Sequence, residues 1–299
     1  TCTPCPGGQV SSNGAASCGD CVAGKYDDGN NVCQPCPAGS FSSAGSTACD
    51  SSCPAGTYGK MGETSCSNCE AGKFAALGAA SCELCLAGTY SGSRAGECSI
   101  CAAGKASSAG ATECNPCEGG FYSHQQSSSC SMCTSGKYSE DEAGVCSVCV
   151  AGRYSGTGAS SCAICAAGKY SQLVSETEGA SSCTDCDSGK FSSEGSESCA
   201  GSCLPGTYGG PGSSVCVDCG AGTYSEAGAD SCINCPGGKY SGAKAGLCVN
   251  CVAGKFSGNA AALCETCVAG QGYVSSEGQS QCNYCGAGKH ADSESNTCV

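Results

Sequence analysis

The residues with the most chemistry in this chain are its 37 cysteines, which fall into Cys-x-x-Cys pairs from Cys2/Cys5 and Cys18/Cys21 to Cys282/Cys285, with Cys298 left over. Two pairs, Cys49/Cys53 and Cys199/Cys203, are one residue wider. Four thiolates can hold zinc in a tetrahedral site, and a single Cys-x-x-Cys beside a βαβ unit can act as a redox dithiol. Eighteen evenly spaced pairs with only two histidines argue against both. His124 and His290 stand apart from any Cys, Ser or carboxylate constellation, so no nucleophile and base are assembled. The acidic turns Asp27-Asp28-Gly29-Asn30-Asn31 and Glu140-Asp141-Glu142 offer the oxygen ligands that calcium prefers, although a solvated turn is the plainer reading. The sequence therefore predicts no catalytic residue, no metal ligand and no cofactor, and the cysteines have to be explained as scaffold.

Composition points the same way. Leu, Ile, Val and Phe supply 29 of 299 positions and Trp is absent. That is roughly half the level below which a chain is expected to stay unfolded. Fixing sixteen residues costs about 16 to 32 kcal/mol of backbone entropy, which one ring and a few small apolar side chains cannot offset. Disulfides are the remaining constraint, and they place the chain in an oxidising, extracellular or secretory compartment. The net charge of −13 comes from scattered carboxylates and argues against nucleic acid as a partner. No apolar run approaches the roughly 20 residues needed to span a bilayer. The segment opens Thr1-Cys2-Thr3, without the pattern of a signal peptide, so any leader or anchor is expected outside it.

The cysteines also define a repeat. From the second Cys of one pair to the first of the next the interval is 13 in fifteen of eighteen cases, giving a period of 16. Gly occupies the third position after the second Cys in every unit, from Gly8 and Gly24 to Gly288. Such uniformity within one chain implies a backbone demand, a positive φ or a close approach. An aromatic follows two residues later in fourteen units, including Tyr26, Phe41, Tyr58, Phe74 and Tyr240. Alternation around it reads as a short strand with the ring inward and the flanking Lys and Ser outward. A second Gly, as at Gly45, Gly62, Gly78 and Gly110, suits a hairpin return.

Two disulfide frameworks fit this pattern, and spacing alone does not decide between them. The first joins the second Cys of each pair to the first Cys of the next. It gives Cys5–Cys18, Cys21–Cys33, Cys36–Cys49, Cys53–Cys66, Cys69–Cys82, Cys85–Cys98, Cys101–Cys114, Cys117–Cys130 and Cys133–Cys146. It continues with Cys149–Cys162, Cys165–Cys183, Cys186–Cys199, Cys203–Cys216, Cys219–Cys232, Cys235–Cys248, Cys251–Cys264, Cys267–Cys282 and Cys285–Cys298. Only Cys2 is left, unpaired or joined to a neighbouring segment. Each loop closed this way contributes about 3 kcal/mol in the chain-entropy model. The second framework interlaces, linking Cys2 to Cys18 and Cys5 to Cys21 in blocks of two pairs. It ranks second because the higher-order pattern counts in threes and nines.

With loops numbered by their closing cysteines from Cys18, the widened pairs follow loops 3 and 12. Glycines displaced toward the closing Cys, Gly96, Gly144 and Gly246, mark loops 6, 9 and 15. Residues 51–114 align with 201–264 at a constant offset of 150. The chain reads as two nine-loop blocks, 1–149 and 150–299, duplicated in tandem and cut from a longer array.

At Cys53-Pro54-Ala55-Gly56-Thr57-Tyr58, followed by the spacing to Cys66 and Cys69, the sequence resembles the ephrin-receptor-like cysteine-rich repeat and the first half-module of tumour-necrosis-factor-receptor domains. Long arrays of such loops are also similar to cysteine-rich surface proteins of single-celled eukaryotes. The resemblance implies the bond Cys53 to Cys66 and its equivalents. The second, doubly bonded half-module of those receptors does not occur here.

The expected fold is a small disulfide-rich one, mostly irregular with short β-hairpins and no large hydrophobic core. About 18 tandem 16-residue loops would form an elongated, solenoid-like rod. If each loop added two strands along one axis, the rod would span roughly 180 Å. The expected function is an extracellular or cell-surface structural protein that self-associates into a filament, coat or appendage. A receptor or adhesin stalk is the alternative. O-linked glycans are expected on the outward-reading serines Ser91, Ser155, Ser241 and Ser257.

Overall fold

The computed structural model describes residues 4–49 and 51–299, and Cys2 lies outside them. Among the described residues the chain is a tandem array of hairpins, eighteen separate two-stranded antiparallel ladders with one 3-10 turn at Ala269–Gln271. Among the described residues no helix is long and apolar enough to cross a membrane. Two compact units can be distinguished. One holds the chain up to Thr134 with Tyr138–Ser147 and Thr157–Ser161; the other holds Ser135–Lys137, Val148–Gly156 and Cys162–Val299.

Loop 4 shows how sixteen residues close on themselves. The Thr57 N–H donates to the Pro54 carbonyl at 3.0 Å, turning the chain directly after the opening cysteine. Thr57–Tyr58 then pairs with Ser67–Asn68, with Thr57 opposite Asn68 and Tyr58 opposite Ser67. The two residues inside each Cys-x-x-Cys are thus the returning strand of a hairpin. The Cys53–Cys66 bond clamps its neck, with the Cα atoms 5.6 Å apart.

Each loop is tied to the next by backbone. The Gly56 N–H donates to the Ala75 carbonyl and the Gly78 N–H to the Cys53 carbonyl, both at 2.8 Å, linking loops 4 and 5. A single parallel bridge joins Tyr58 to Ala79. Contact also reaches the loop after next: a Cβ on Gly56, whose φ is 84°, would collide with the Arg94 carbonyl of loop 6. Positive φ and close approach together account for the recurring glycine. Loop 4 thus leans on the two loops that follow it, the ordering expected of a repeat protein. The hairpins do not merge into a continuous sheet, so the strand-spacing estimate of axial rise has no basis here.

The core differs from the sequence expectation. The opening cysteines, such as Cys53, Cys85 and Cys101, are fully buried, and position 6 after them, Gly59, Ser91 and Ser107, is buried too. The rings at position 5, Tyr58 and Phe74 among them, are only half-buried. Strand alternation explains this, because positions 4 and 6 share one face and position 5 takes the other. With position 6 packed against the disulfide, the ring is left at the groove between hairpins. The interior is therefore sulfur and small polar residues.

Two irregularities resolve into register. Gly96, Gly144 and Gly246 read as a displaced turn glycine, yet the positive φ stays at position 9, at Arg94, Glu142 and Lys244. The later glycine answers a steric demand instead: a Cβ on Gly96 would lie 2.9 Å from the Ala55 Cβ, and one on Gly246 2.8 Å from the Pro205 Cβ. In loop 17 the 3-10 turn absorbs the extra residues. Gly272, not Gly270, takes the positive φ, and Tyr273 starts the strand.

Candidate functional site: the clefts at the joints

The sulfur chemistry is settled by pairing. The bonds run Cys5–Cys18, Cys21–Cys33, Cys36–Cys49 and onward without interlacing to Cys285–Cys298. They employ every cysteine among the described residues. No thiolate remains there to ligate zinc or to exchange with a substrate.

The acidic turns are braced rather than open. Asp27 accepts from the Gly29 N–H at 3.1 Å and the Gly8 N–H at 3.3 Å. Asp28 accepts from the Asn30 N–H at 2.9 Å and from Gln34 at 3.3 Å. The Asn30 bond holds the Asp28 carboxyl below the usual carboxylate range. Asp141 accepts from the Gly119 N–H at 2.7 Å, and Glu142 pairs with Lys105 at 3.3 Å. Among the described residues no three such side chains converge as a metal site would require. His124 packs edge-on against Tyr122, with centroids 5.5 Å apart, and the His290 N–H donates to the Val299 carbonyl at 2.8 Å.

The serines expected to carry sugar point the other way. Ser91, Ser155, Ser241 and Ser257 are 3% exposed or less. Their hydroxyls donate to the carbonyls of Lys73, Lys137, Thr223 and Lys239 in the preceding loop, at 2.8 to 2.9 Å. A glycan on any of them would break that bond and open the core, so the outward assignment is corrected. A Ser after a strand aromatic reads as solvent-facing only when the ring is taken to be inside.

What the array does present is a cleft at the joint between consecutive hairpins, built from the same positions each time. Its floor is the ring at position 5 and the returning strand of one loop; its walls are positions 1, 4, 12 and 13 of the next. Between loops 4 and 5 this cleft holds about 370 Å³ and is polar, lined by Tyr58, Asn68, Glu70, Lys73 and Ser81. Lys73 and Glu70 pair across it at 3.2 Å. Between loops 12 and 13 it widens to about 790 Å³ and is lined by Phe191, Leu204, Pro205 and Val215, with Asp218 and Lys244 at one edge. Between loops 15 and 16 it holds about 360 Å³ and is mixed, lined by Tyr240, Val249, Asn250, Val252, Lys255 and Leu263. One backbone frame thus carries a charged cleft at one joint and clefts richer in apolar side chains at others.

No family model and no curated protein matches this chain. The joint residues were not singled out by sequence reasoning, which looked within each loop. The signal was nonetheless present in the offset of 150, where Ser65 and Glu113 become Val215 and Leu263.

Proposed function

We propose that this chain is an extracellular structural protein, a disulfide-stapled array that self-associates to form or space a filament, coat or surface appendage. The observation that supports it most directly is the uninterrupted run of closed loops, each stapled by its own disulfide and braced by loops near it in the chain. Such a design gains length by adding loops, without a core to enlarge. Its stability resides in bonds that persist only in an oxidising compartment. The resemblance to ephrin-receptor-like repeats of surface proteins agrees with this reading. The described residues present clefts at several of the joints between loops, which suits lateral contact along an array.

Negative-stain microscopy of the native, oxidised protein tests the proposal. Ordered filaments or sheets are the expected result. Isolated particles at every concentration, each ending in a separate globular head of the full-length protein, would favour a receptor stalk and overturn it.

A further inference from the structure

Aligned at the offset of 150, six exposed positions change character together. Ser65, Ser67, Glu83, Glu97, Ser99 and Glu113 of the first block stand where the second has Val215, Val217, Ile233, Leu247, Val249 and Leu263. The six apolar side chains are between 49% and 74% exposed. They recur in loops 13 to 16, at position 12 or 14, and so belong to four consecutive joints. Singly exposed apolar residues are ordinary, but a run of them on one repeating frame marks an interaction surface. The frame itself does not require them, since loops 4 to 7 fold on the same backbone with Ser and Glu.

From this juxtaposition we infer that the apolar joints of loops 13 to 16 are a docking surface for the same loops of a second copy of this chain, paired about a two-fold axis. The inference rests on the self-association proposed above and names its interface. Three observations select this occupant. The rungs repeat once per loop, and a surface of that spacing is matched rung for rung by the identical segment turned end for end, loop 13 against 16 and loop 14 against 15. A two-fold contact requires a self-complementary patch of this kind. Charge at the joints agrees as well: Ile233, Leu247 and Leu263 stand where the first block has Glu83, Glu97 and Glu113, in a chain whose net charge of −13 otherwise repels its copies. The carboxylates gained within residues 201–264, Asp218, Glu226 and Asp230, lie at other positions. Extent is the third. A stable interface takes on the order of 20 residues a side, more than one joint offers and within reach of four.

The test is sedimentation equilibrium of the full oxidised chain beside two variants. The first, Val215→Ser, Val217→Ser, Leu247→Glu, Leu263→Glu, restores the residues of the first block and is compatible with the loop fold because loops 4, 6 and 7 already carry them. The second, Leu84→Asn and Ile100→Asn, is a control that removes two exposed apolar side chains of the first block by copying Asn234 and Asn250, and non-reducing peptide mapping verifies the disulfides of each. We expect the wild type to pair and the first variant to need at least about a hundredfold higher concentration, about 2.8 kcal/mol at tenfold per 1.4 kcal/mol. The second variant is expected to pair as the wild type does. Wild type and first variant associating equally would overturn this interface while leaving self-association standing. A wild type that stays monomeric into the millimolar range would overturn both.

Discussion

Loops 5, 6 and 8 and loops 13, 14 and 15 have the same hairpin, yet their returning strands are written in opposite phase. The former read Glu83-Leu84, Ser99-Ile100 and Ser131-Met132, with the apolar residue second; the latter read Val217-Asp218, Ile233-Asn234 and Val249-Asn250, with it first. Neighbouring residues of a strand point to opposite faces. The second place faces the turn of the loop after next. Leu84 Cδ2 lies 3.0 Å from where a Cβ on Gly110 would sit, and Met132 Cγ 3.2 Å from the same point on Gly158. In the later loops that place is polar and makes polar contacts: Asp218 pairs with Lys244 at 3.2 Å, and Asn250 donates to Glu277 at 3.0 Å. The first place stands opposite the ring in the ladder, as Val249 does to Tyr240, and there Val249 lines the joint cleft. Both phases leave the apolar side chain about half exposed, 49–58% for Leu84, Ile100 and Met132 and 49–54% for Val217, Ile233 and Val249. What differs is the side, toward the turn two loops on for Leu84 and Met132 and toward the joint for Val249. A one-residue exchange in a two-residue strand moves an exposed apolar side chain from one face of the hairpin to the other, with no change of fold.

If the difference is confined to that surface, the staple should be equally important in both regions. Replacing both cysteines of Cys85–Cys98 with Ser, or both of Cys235–Cys248, which lie 150 residues later, should cost about 3 kcal/mol in either place. Amide hydrogen exchange reads this locally, as a loss of protection on the order of 100-fold in the affected loop. A large inequality between the two would break the comparison, because the regions would then differ in their framework.

A smaller effect is expected at position 9, where Gly110 has φ 74° and its counterpart Ala260 has φ 57°. Left-handed backbone costs an L-residue about 1 to 2 kcal/mol. Gly110→Ala should lose roughly that much, and slightly more because the new methyl meets Leu84. Ala260→Gly should gain up to about 1 kcal/mol, since its neighbour two loops back is the smaller Asn234. Thermal melts of the two variants should move in opposite directions. A shift of the same sign would mean that position 9 is not equivalent in the two regions.

These loops also show where sequence reading succeeds. The repeat, the necks and the glycine at position 3 were legible because each is a demand of backbone or covalent geometry that leaves a fixed residue type behind. The side-chain faces were read in reverse. Tyr58 looked like the core residue of its loop and Ser91 like a surface residue of its own, because burial was assigned by hydrophobicity. In this fold the disulfide occupies the interior, and what packs beside it must be small. The clefts were invisible for another reason: each is assembled from two loops, and positions 1 and 12 meet the preceding ring only after stacking.

That reversal predicts an effect of about 1 kcal/mol at each buried serine. Ser91→Ala leaves the Lys73 carbonyl without its 2.9 Å partner, and Ser241→Ala does the same to Thr223. Both lie 150 residues apart at the same position, and both carbonyls belong to the preceding loop. Equal losses in denaturant unfolding would confirm that the interiors of the two regions match while their surfaces diverge.

The smallest expected effect concerns the polar contact that replaces Leu84-type packing. Lys244 and Asp218 are 63% and 57% exposed, so their attraction is screened and contributes about 0.2 to 1 kcal/mol. Asp218→Asn copies Asn68 from the first block and should lower the melting point by a degree or two at most. The reciprocal change, Asn68→Asp, places a carboxylate at the position facing Arg94 and should raise it by a similar amount. At about 1 M salt, where the screening length falls to about 3 Å, both differences should vanish. If they persist, position 15 stabilises the later loops by packing, as Leu84 does in loop 5, and the polar phase of the strand would be a matter of shape instead of charge.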